Sequence, residues 1–566
     1  MDPVSPERRR LLPSSSLVIN ASKRKYKPFN CFSNYCKELK SRSLSLPLIL
    51  LLIYALPVNI CVALTDSTSS LFSQCDLFHS KSDTFVFDVA LVLNVFFLLA
   101  PFCGWLSDTK IGRGNAIYLG LWLGWIGTLI QAIGCCLQYD SFQCSTVSFI
   151  GRVVIPFVFM LISLSLLLPN ILPYGIDQLM NESTVKIRAF IHWFSLCLYG
   201  SSVFSFISDG LILSVVAFAL FSFSLCLHFL FKHCFEHIPI PNPYKIVFKV
   251  LKFSLTTSGT RRQHRSAFTY WGEEPSRMDL AKERYGGCFS HEEVENVKTF
   301  LQIAVVLITV FPLIVSIFFL FRLSNFTIQF KDGSNESSGN GIWLLSNIIP
   351  LFVLVPLFEL VILPLFPKLE YFLINPLKGL GLAYIFLILS IISVFFIDLI
   401  GRIVADSDSN IPCFFMWKSV HQTIDISYWI LLIPSVLAYT AYFCGGMYLF
   451  EFMCCQSPFG MHGMIIGLCW FFSGIFIDIA IGIFLIVYYH PIPLVKFMSC
   501  TSWLTITLCI IAVIGLVVYV LIARWYVNRV RDTDLGLRAA VEEHWENRLT
   551  SENDTETEDF LISSFK

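Results

Sequence analysis

The sequence predicts an all-α protein that crosses a lipid bilayer twelve times. Three observations lead there. The chain has 566 residues, of which 55% are hydrophobic and only 14% charged, too apolar for a soluble chain of this length. The apolar residues gather into a dozen runs of roughly 20, the length at which a helix crosses the hydrocarbon core with its backbone bonded internally. The basic residues fall almost entirely between those runs.

The expected spans are 45–64, 85–107, 115–137, 147–170, 188–206, 209–231, 299–322, 343–366, 379–401, 427–452, 463–489 and 502–524. An even number places both termini on one side. Of 40 Lys and Arg, all but Lys81, Arg152, Arg322, Lys331, Arg402, Lys418 and Lys496 then lie on that side, so the positive-inside rule makes it cytosolic. The organisation expected is a basic cytosolic arm over 1–44, six helices over 45–231, a cytosolic linker over 232–298, six helices over 299–524 and an acidic tail over 525–566. The linker begins polar and basic, then shows apolar residues at helical spacing into the seventh span. Gly286-Gly287 is expected to break it into two amphipathic helices.

Other features bound the function. Net charge is zero, so nothing suggests a nucleic-acid partner. The first 42 residues are polar and basic, so no cleavable leader is expected. Nineteen cysteines show no metal-type spacing, and nothing calls for a metal or cofactor. Cys75 and Cys144 fall in outer loops, where a disulfide is open to them. Asn325 and Asn335 sit in sequons of the outer loop after helix 7 and are candidate glycan sites. No H-E-x-x-H, G-x-S-x-G or phosphate-binding loop occurs, so the chain is not read as an enzyme. Near the start, Glu7, Leu11 and Leu12 form an acidic dileucine pattern of the type vesicle adaptors read. That favours an endolysosomal membrane, with the plasma membrane as the alternative.

Between helices 2 and 3, Gly104, Asp108, Gly112 and Arg113 fit G-x-x-x-D-x-x-x-G-R, a loop motif of major facilitator carriers. Gly104 lets helix 2 approach a neighbour, Asp108 suits a cation or a helix N-terminus, and Gly112 allows the tight turn. LPNILPYGIDQL, with Pro169, Asn170, Tyr174, Gly175, Asp177 and Gln178, resembles the helix-4 signature of the proton-coupled oligopeptide transporters. FIHWFSLCLYGSS is similar to their helix-5 signature, and PLFVLVPLFELVILPL to their helix 8, with Glu359 after P-x-x. YLFEFMCCQSPFGMHGMIIGL, with Glu451, Gln456 and Pro458, resembles their helix 10–11 passage. The linker run RYGGCFSHEEVENVK is also similar to animal members, and a peptide/histidine branch carries a dileucine signal.

The resemblance implies a twelve-helix major facilitator fold of two six-helix halves and proton-driven symport of di- and tripeptides, or of histidine. It places on Glu451 the role of receiving a peptide's amino terminus in a central cavity. The residues agree that Glu451 is unusual, because an ionised carboxylate near mid-membrane costs about 2.5–3.5 kcal/mol unless water or a cation faces it. Here Glu451 is expected to face an aqueous cleft.

The departures are equally informative. Helix 1 lacks the family's E-x-x-E-R-F and offers only Tyr54 and Asn59 as polar contacts. Leu168 replaces the helix-4 lysine, and the helix-5 tyrosine and asparagine positions fall on Ser195 and Tyr199. The cation for a peptide carboxylate is thus missing where the family has it. Trp470 lies near a cavity tryptophan of the family. Asp478, deep in helix 11, is a second ion or proton candidate beside Glu451. Glu359 and Asp398 read as acids near helix ends where water reaches, His192 as interfacial and His462 as solvated. The resulting function is a secondary carrier of small peptides or amino acids, by alternating access, with proton coupling altered or lost. The alternative is a transport-impaired relative that acts as a membrane scaffold for cytosolic partners.

Overall fold

The structure, a computed structural model, describes residues 40, 42–74, 95–138, 151, 154–179, 182, 184–200, 210–235, 244–256, 276–323, 345–346, 349–366, 375–404, 428–458, 460–489 and 501–526. Each of the twelve expected spans meets a helix there, and eight of these helices are long and apolar enough to cross a membrane. In chain order they begin with α1 Leu46–Gln74, α2 Val95–Leu106, α3 Arg113–Gln138 and α4 Ile155–Leu167. There follow α5 Ile171–Asp177, α6 Thr184–Gly200, α7 Gly210–Phe231 and the linker helix α8 Tyr244–Thr256. The later part holds α9 His291–Ile308, α10 Phe311–Leu323, α11 Pro376–Val404, α12 Leu432–Gln456, α13 His462–Tyr489 and α14 Thr501–Trp525. Between α10 and α11 runs a segment of two π turns, Ile349–Leu354 and Leu357–Ile362.

Prolines explain most interruptions. Pro312 has no N–H to continue the ladder from α9, so α10 starts afresh after Thr309 and Val310. At the break the Tyr384 hydroxyl donates to the Thr309 carbonyl at 2.7 Å. In the π-turn segment Pro350, Pro356 and Pro364 recur within sixteen residues, and the ladder widens between them. At Pro169-Asn170 the fourth span breaks into α4 and α5. There the Asn170 side-chain amide donates to the Leu166 carbonyl at 2.7 Å, supplying the bond that the break removes.

Among the described residues, α1–α7 form one group and α9–α14 another, and the groups meet chiefly where α2 packs on α13 and α6 on α12. Glycine makes the first of these seams close. A Cβ on Gly104 would lie 2.4 Å from the Gly463 carbonyl oxygen, and one on Gly467 2.7 Å from that of Ala100, so the backbones touch as only small residues permit. The core is mainly apolar, with buried Ser, Thr and paired charged side chains set within it. Outward-facing Phe102, Phe223, Phe229, Ile433 and Leu521 are each more than half exposed, as suits residues that face lipid rather than water.

The linker departs from its expected form. Residues 279–285 make two short 3-10 turns instead of an amphipathic α-helix, and the backbone folds back so that Phe289 N–H bonds the Ala281 carbonyl. Gly286 takes φ 79°, and a Cβ on Gly287 would sit 1.9 Å from the Ala281 oxygen, so both glycines are needed by the turn itself. A four-charge node fixes it: Lys282 and Lys298 each pair with Asp279 and Glu295 at 2.5–3.2 Å. Partial burial pushes the Asp279 carboxyl up. Hydrogen bonds from Lys282, Lys298 and Ser276 outweigh that and hold it well below the usual carboxylate range. Its contribution is therefore complete above the ordinary aspartate value and is lost only as pH falls through the lower, folded one. Ser290 and Glu293 then cap α9 reciprocally, worth about 1 kcal/mol.

Gly287→Ala should open this turn, at a cost of about 1–3 kcal/mol to the local fold. Limited proteolysis should show faster cleavage within 276–290, while circular dichroism shows unchanged helix content. Unchanged cleavage would remove the turn's dependence on this glycine.

Candidate functional site

The candidate site lies at the end of the helices where the α2–α13 seam meets the linker helix through Tyr244, and is here termed the linker end. Its foundation is Arg113, the first residue of α3. Its Nε donates to Asp108 Oδ1 at 2.8 Å, and its Nη1 reaches both Asp177 oxygens at 2.6 and 2.7 Å. Asp108 stands in the π turn Ser107–Ile111, which ends at Gly112 with φ 85°. The other Asp108 oxygen accepts the Tyr244 hydroxyl of α8 at 2.8 Å and the Met464 N–H at 3.1 Å. Both kinds of partner expected for Asp108, a cation and a helix N-terminus, are present, the latter being the first turn of α13. One carboxylate thus gathers α2, α3, the linker and α13. The helix-4 motif completes it: Asp177 ends α5 against Arg113, Asn170 meets the Ser107 hydroxyl, and Gly175 lies where a Cβ would strike the Phe190 ring. In the α12–α13 passage, Gln456 accepts the Tyr526 hydroxyl at 3.1 Å.

Among the described residues, ion pairs on two carboxylates, Glu451 and Glu359, cross between the groups of helices. Arg188, in the second turn of α6, donates through Nε to Glu451 Oε1 on α12 at 2.7 Å. Arg42, just before α1, donates to Glu359 Oε2 at 3.0 Å, and His192 Nδ1 of α6 meets Glu359 Oε1. Both carboxylates are 1% exposed. Burial at this depth is tolerable only because each carboxylate has its cation, and removal of one partner would leave an uncompensated charge. Glu451 Oε2 is buried without a partner among the described residues.

Beside the Arg188–Glu451 pair lies an aromatic layer. Tyr199 of α6 stacks on Phe450 of α12 at 6.3 Å between centroids, and Trp470 of α13 is 6.1 Å from Phe450 and 5.9 Å from Phe97 of α2. Phe194 meets Phe450 edge-on. Four helices from both groups thus meet in one layer of rings, whose first residue, Phe450, immediately precedes Glu451.

Several expectations need correction. Glu451 does not face an aqueous cleft in this structure; it is sealed against Arg188. Glu359 is not at a watered helix end, nor is His192 interfacial: the two are bonded in the interior, because the π turn aims Glu359 at α6. His462 is buried at the start of α13 rather than solvated. Tyr54 turns into the α1–α7 group, against His228 and Phe235, and Ser195 bonds its own helix at the Ile191 carbonyl; neither reaches the aromatic layer. Tyr199 and Trp470 do. Asp478 is partly buried on α13, away from the two ion pairs. The side chains of Asn59 and Asp398, and residues Glu7, Leu11, Leu12, Cys75, Cys144, Asn325 and Asn335, lie outside the described residues. Sequence reasoning missed Arg42 and Arg188, which look like ordinary cationic flanks of helices 1 and 5. The available signal was that each stands within a turn or two of a buried acid's depth in the membrane.

Arg113→Met should strip Asp108 and Asp177 of their shared cation and destabilise the protein by about 3–5 kcal/mol. The drop would be read as a lower melting temperature in detergent. Arg113→Lys, which keeps the charge but not the two-armed geometry, should lose less. A melting temperature unchanged by the methionine would show that the network is not needed.

No family model matches the chain. Solute carrier family 15 member 5 of Homo sapiens is 22% identical over 301 residues, 50% of this chain and 50% of that protein, so the chain spans about half the length of this curated relative. Among solved structures, the POT family transporter PepTSo matches with TM-score 0.56 at 15% identity, covering 86% of this chain and 99% of that one. An auto-inhibited POT family peptide transporter matches at 0.55 and 14%, covering 86% and 98%. A POT family transporter in complex with 5-aminolevulinic acid matches at 0.50 and 12%, covering 84% and 96%. At these identities the structural likeness establishes architecture. The chain has the fold seen in these POT family transporters.

Proposed function

We propose that the chain is a secondary carrier for small peptides or amino acids, histidine among them, working by alternating access, with the linker end on the cytosolic side. The observation that carries this reading is the Arg188–Glu451 pair, which bridges the helix groups beside the aromatic layer and leaves Glu451 Oε2 buried and unpartnered among the described residues. A buried acceptor in that position suits a protonated amine, and a charge-assisted hydrogen bond there is worth about 1.5–3 kcal/mol. Arg188 offers the opposite charge for a carboxylate. A zwitterion can therefore replace both partners of the pair at once, leaving no buried charge unmatched while the groups separate. The rings of Tyr199, Phe450 and Trp470 would take the apolar part of the solute. One solved neighbour holds 5-aminolevulinic acid, which carries an amine and a carboxylate. Loss of the helix-1 charges keeps a transport-impaired membrane scaffold as the second reading, and coupling to protons is the part of the carrier reading that this loss puts in question.

The test is uptake of a labelled dipeptide and of histidine into proteoliposomes, with and without an inward proton gradient. The expected result is flux for at least one solute, lowered about tenfold to a hundredfold by Glu451→Gln, the loss that about 1.5–3 kcal/mol implies. Accumulation under the gradient would indicate symport, and equilibration alone facilitated diffusion. Absence of flux for any solute, with a stable cytosolic partner, would replace the carrier by the scaffold.

A further inference from the structure

We infer that the exposed face of the linker helix α8 binds the acidic lipid headgroups of the bilayer leaflet at the linker end. Only the side of the membrane is taken from the carrier reading; transport itself is not required. Helix α8 reads YKIVFKVLKFSLT, with three lysines and no acid. Its buried residues are Tyr244, Val247, Val250 and Ser254, spaced as one face of a helix. It packs on the Asp279–Ala281 turn and on α9, and Phe253 meets Phe289 edge-on. Lys245, Phe248, Lys249, Lys252 and Leu255 are exposed.

The arrangement of that exposed face is specific. At about 100° per residue, the three lysines fall within a sector of roughly 60°. Phe248 and Leu255 lie almost in line on its flank, between the lysines and the buried face. They are 72% and 75% exposed, far beyond what packing on the protein would leave. Among the described residues no carboxylate pairs with any of the three lysines. A row of free cations beside two large apolar side chains suits a helix lying in a headgroup layer. The ring and the isobutyl group enter the acyl boundary, while the ammonium groups stay at the level of the phosphates and carboxylates.

The position of α8 selects a leaflet over an acidic protein as the occupant. Helix α7 closes with Phe229 and Leu230, 79% and 57% exposed, and exposed Lys232 and His233 follow. That is the order in which a spanning helix passes from hydrocarbon to headgroups. Just beyond, Phe235 is fixed against Tyr174 and His228. Helix α8 then opens at Tyr244, whose hydroxyl is bonded to Asp108. Asp108 stands in the π turn that ends the second span, and Lys110 is exposed in the same turn. Both the start of the linker and the start of α8 are thus held at the depth where spans end. The lysines there meet the field of an anionic leaflet, which acts within about 8 Å at physiological salt. Each lysine strengthens attachment to such a surface about fivefold. Tyr244 lies on the buried face of the same helix, so lipid that seats α8 also seats Tyr244 on Asp108.

Hydrogen–deuterium exchange of the full-length protein in lipid nanodiscs tests this. The discs hold phosphatidylcholine alone or with about a third phosphatidylserine, the acidic lipid of such a leaflet. Both leaflets of a disc are alike, so the side of the membrane does not enter. Amides of Tyr244–Thr256 should exchange about tenfold more slowly in the acidic discs, while those of α12 exchange alike in both. High salt should remove the difference by screening. Lys245→Gln, Lys249→Gln and Lys252→Gln together should abolish it and leave exchange in neutral discs unchanged. Phe248→Ser with Leu255→Ser should reduce it. Equal exchange in the two kinds of disc, or a difference that survives the three glutamines, overturns the inference; the first comparison decides even if the variants fail to fold. Slowing in neutral discs by soluble inositol hexakisphosphate, with no response to acidic lipid, would assign the lysines to a free phosphate. Slowing there by calcium-loaded calmodulin, again with no response to acidic lipid, would assign the face to a protein. Either result overturns it. Because no flux is measured, a chain that moves no solute keeps this face, and loss of the face leaves the carrier reading standing.

Discussion

A buried carboxylate must be matched by a cation or by several hydrogen bonds, and this one constraint organises the linker end. Asp108, Glu359 and Glu451 are each nearly inaccessible, and each draws a donor from the opposite group of helices: the Met464 amide, Arg42 with His192, and Arg188. Coulomb attraction between unit charges at this separation exceeds thermal energy severalfold at any dielectric short of bulk water. The alternative, a lone carboxylate in the interior, is costlier still. Partner choice is therefore strict, and the partners set which helices meet.

The three contacts differ in kind. Around Asp108 one guanidinium, a hydroxyl and an amide converge, so the α2–α13 seam has a latch that involves the linker through Tyr244. Glu451 has a single cation and a spare oxygen, and it adjoins the aromatic layer. Glu359 has a cation and a titratable ring. The first is the most fully bonded, the second is the pair that the proposed carrier would open to a solute, and the third ties the segment before α1 and α6 to the π turn. Glycine contacts at Gly104 and Gly467 bring the backbones together, so the latch closes over dry, close-packed surface.

The sequence made the helices legible because the bilayer imposes one length and one composition on each span, and charge placement separates them. It made the Asp108–Arg113 motif legible because both residues stand in one short loop. What it hid was long-range pairing. Arg188 lies 263 positions from Glu451 and Arg42 lies 317 from Glu359, and no local pattern distinguishes them from the many other basic residues that flank spans. Glu359 misled for a related reason: an α-helical register would have placed it differently, and only the π turns, themselves set by closely spaced prolines, redirect it. In the linker, apolar spacing suggested a helix before Gly286, but the backbone close approach that Gly287 permits gave a turn instead.

The ion pairs that cross the interface beside its apolar contacts have a consequence of their own for motion. Each 1,000 Å² of apolar contact favours the closed form by about 25 kcal/mol before ordering costs, a bias that no small solute could reverse, since even nanomolar binding supplies only about 12 kcal/mol. A buried ion pair behaves otherwise. Its Coulomb gain and its desolvation cost nearly cancel, so separating it into water changes the free energy little, provided both charges are hydrated or matched in the open form. Side chains such as Arg188 and Glu451, Arg42 and Glu359 can therefore define one closed geometry sharply without stabilising it deeply. For the proposed carrier, a few kcal/mol, the scale of one bound zwitterion, would then be enough to shift the population between forms.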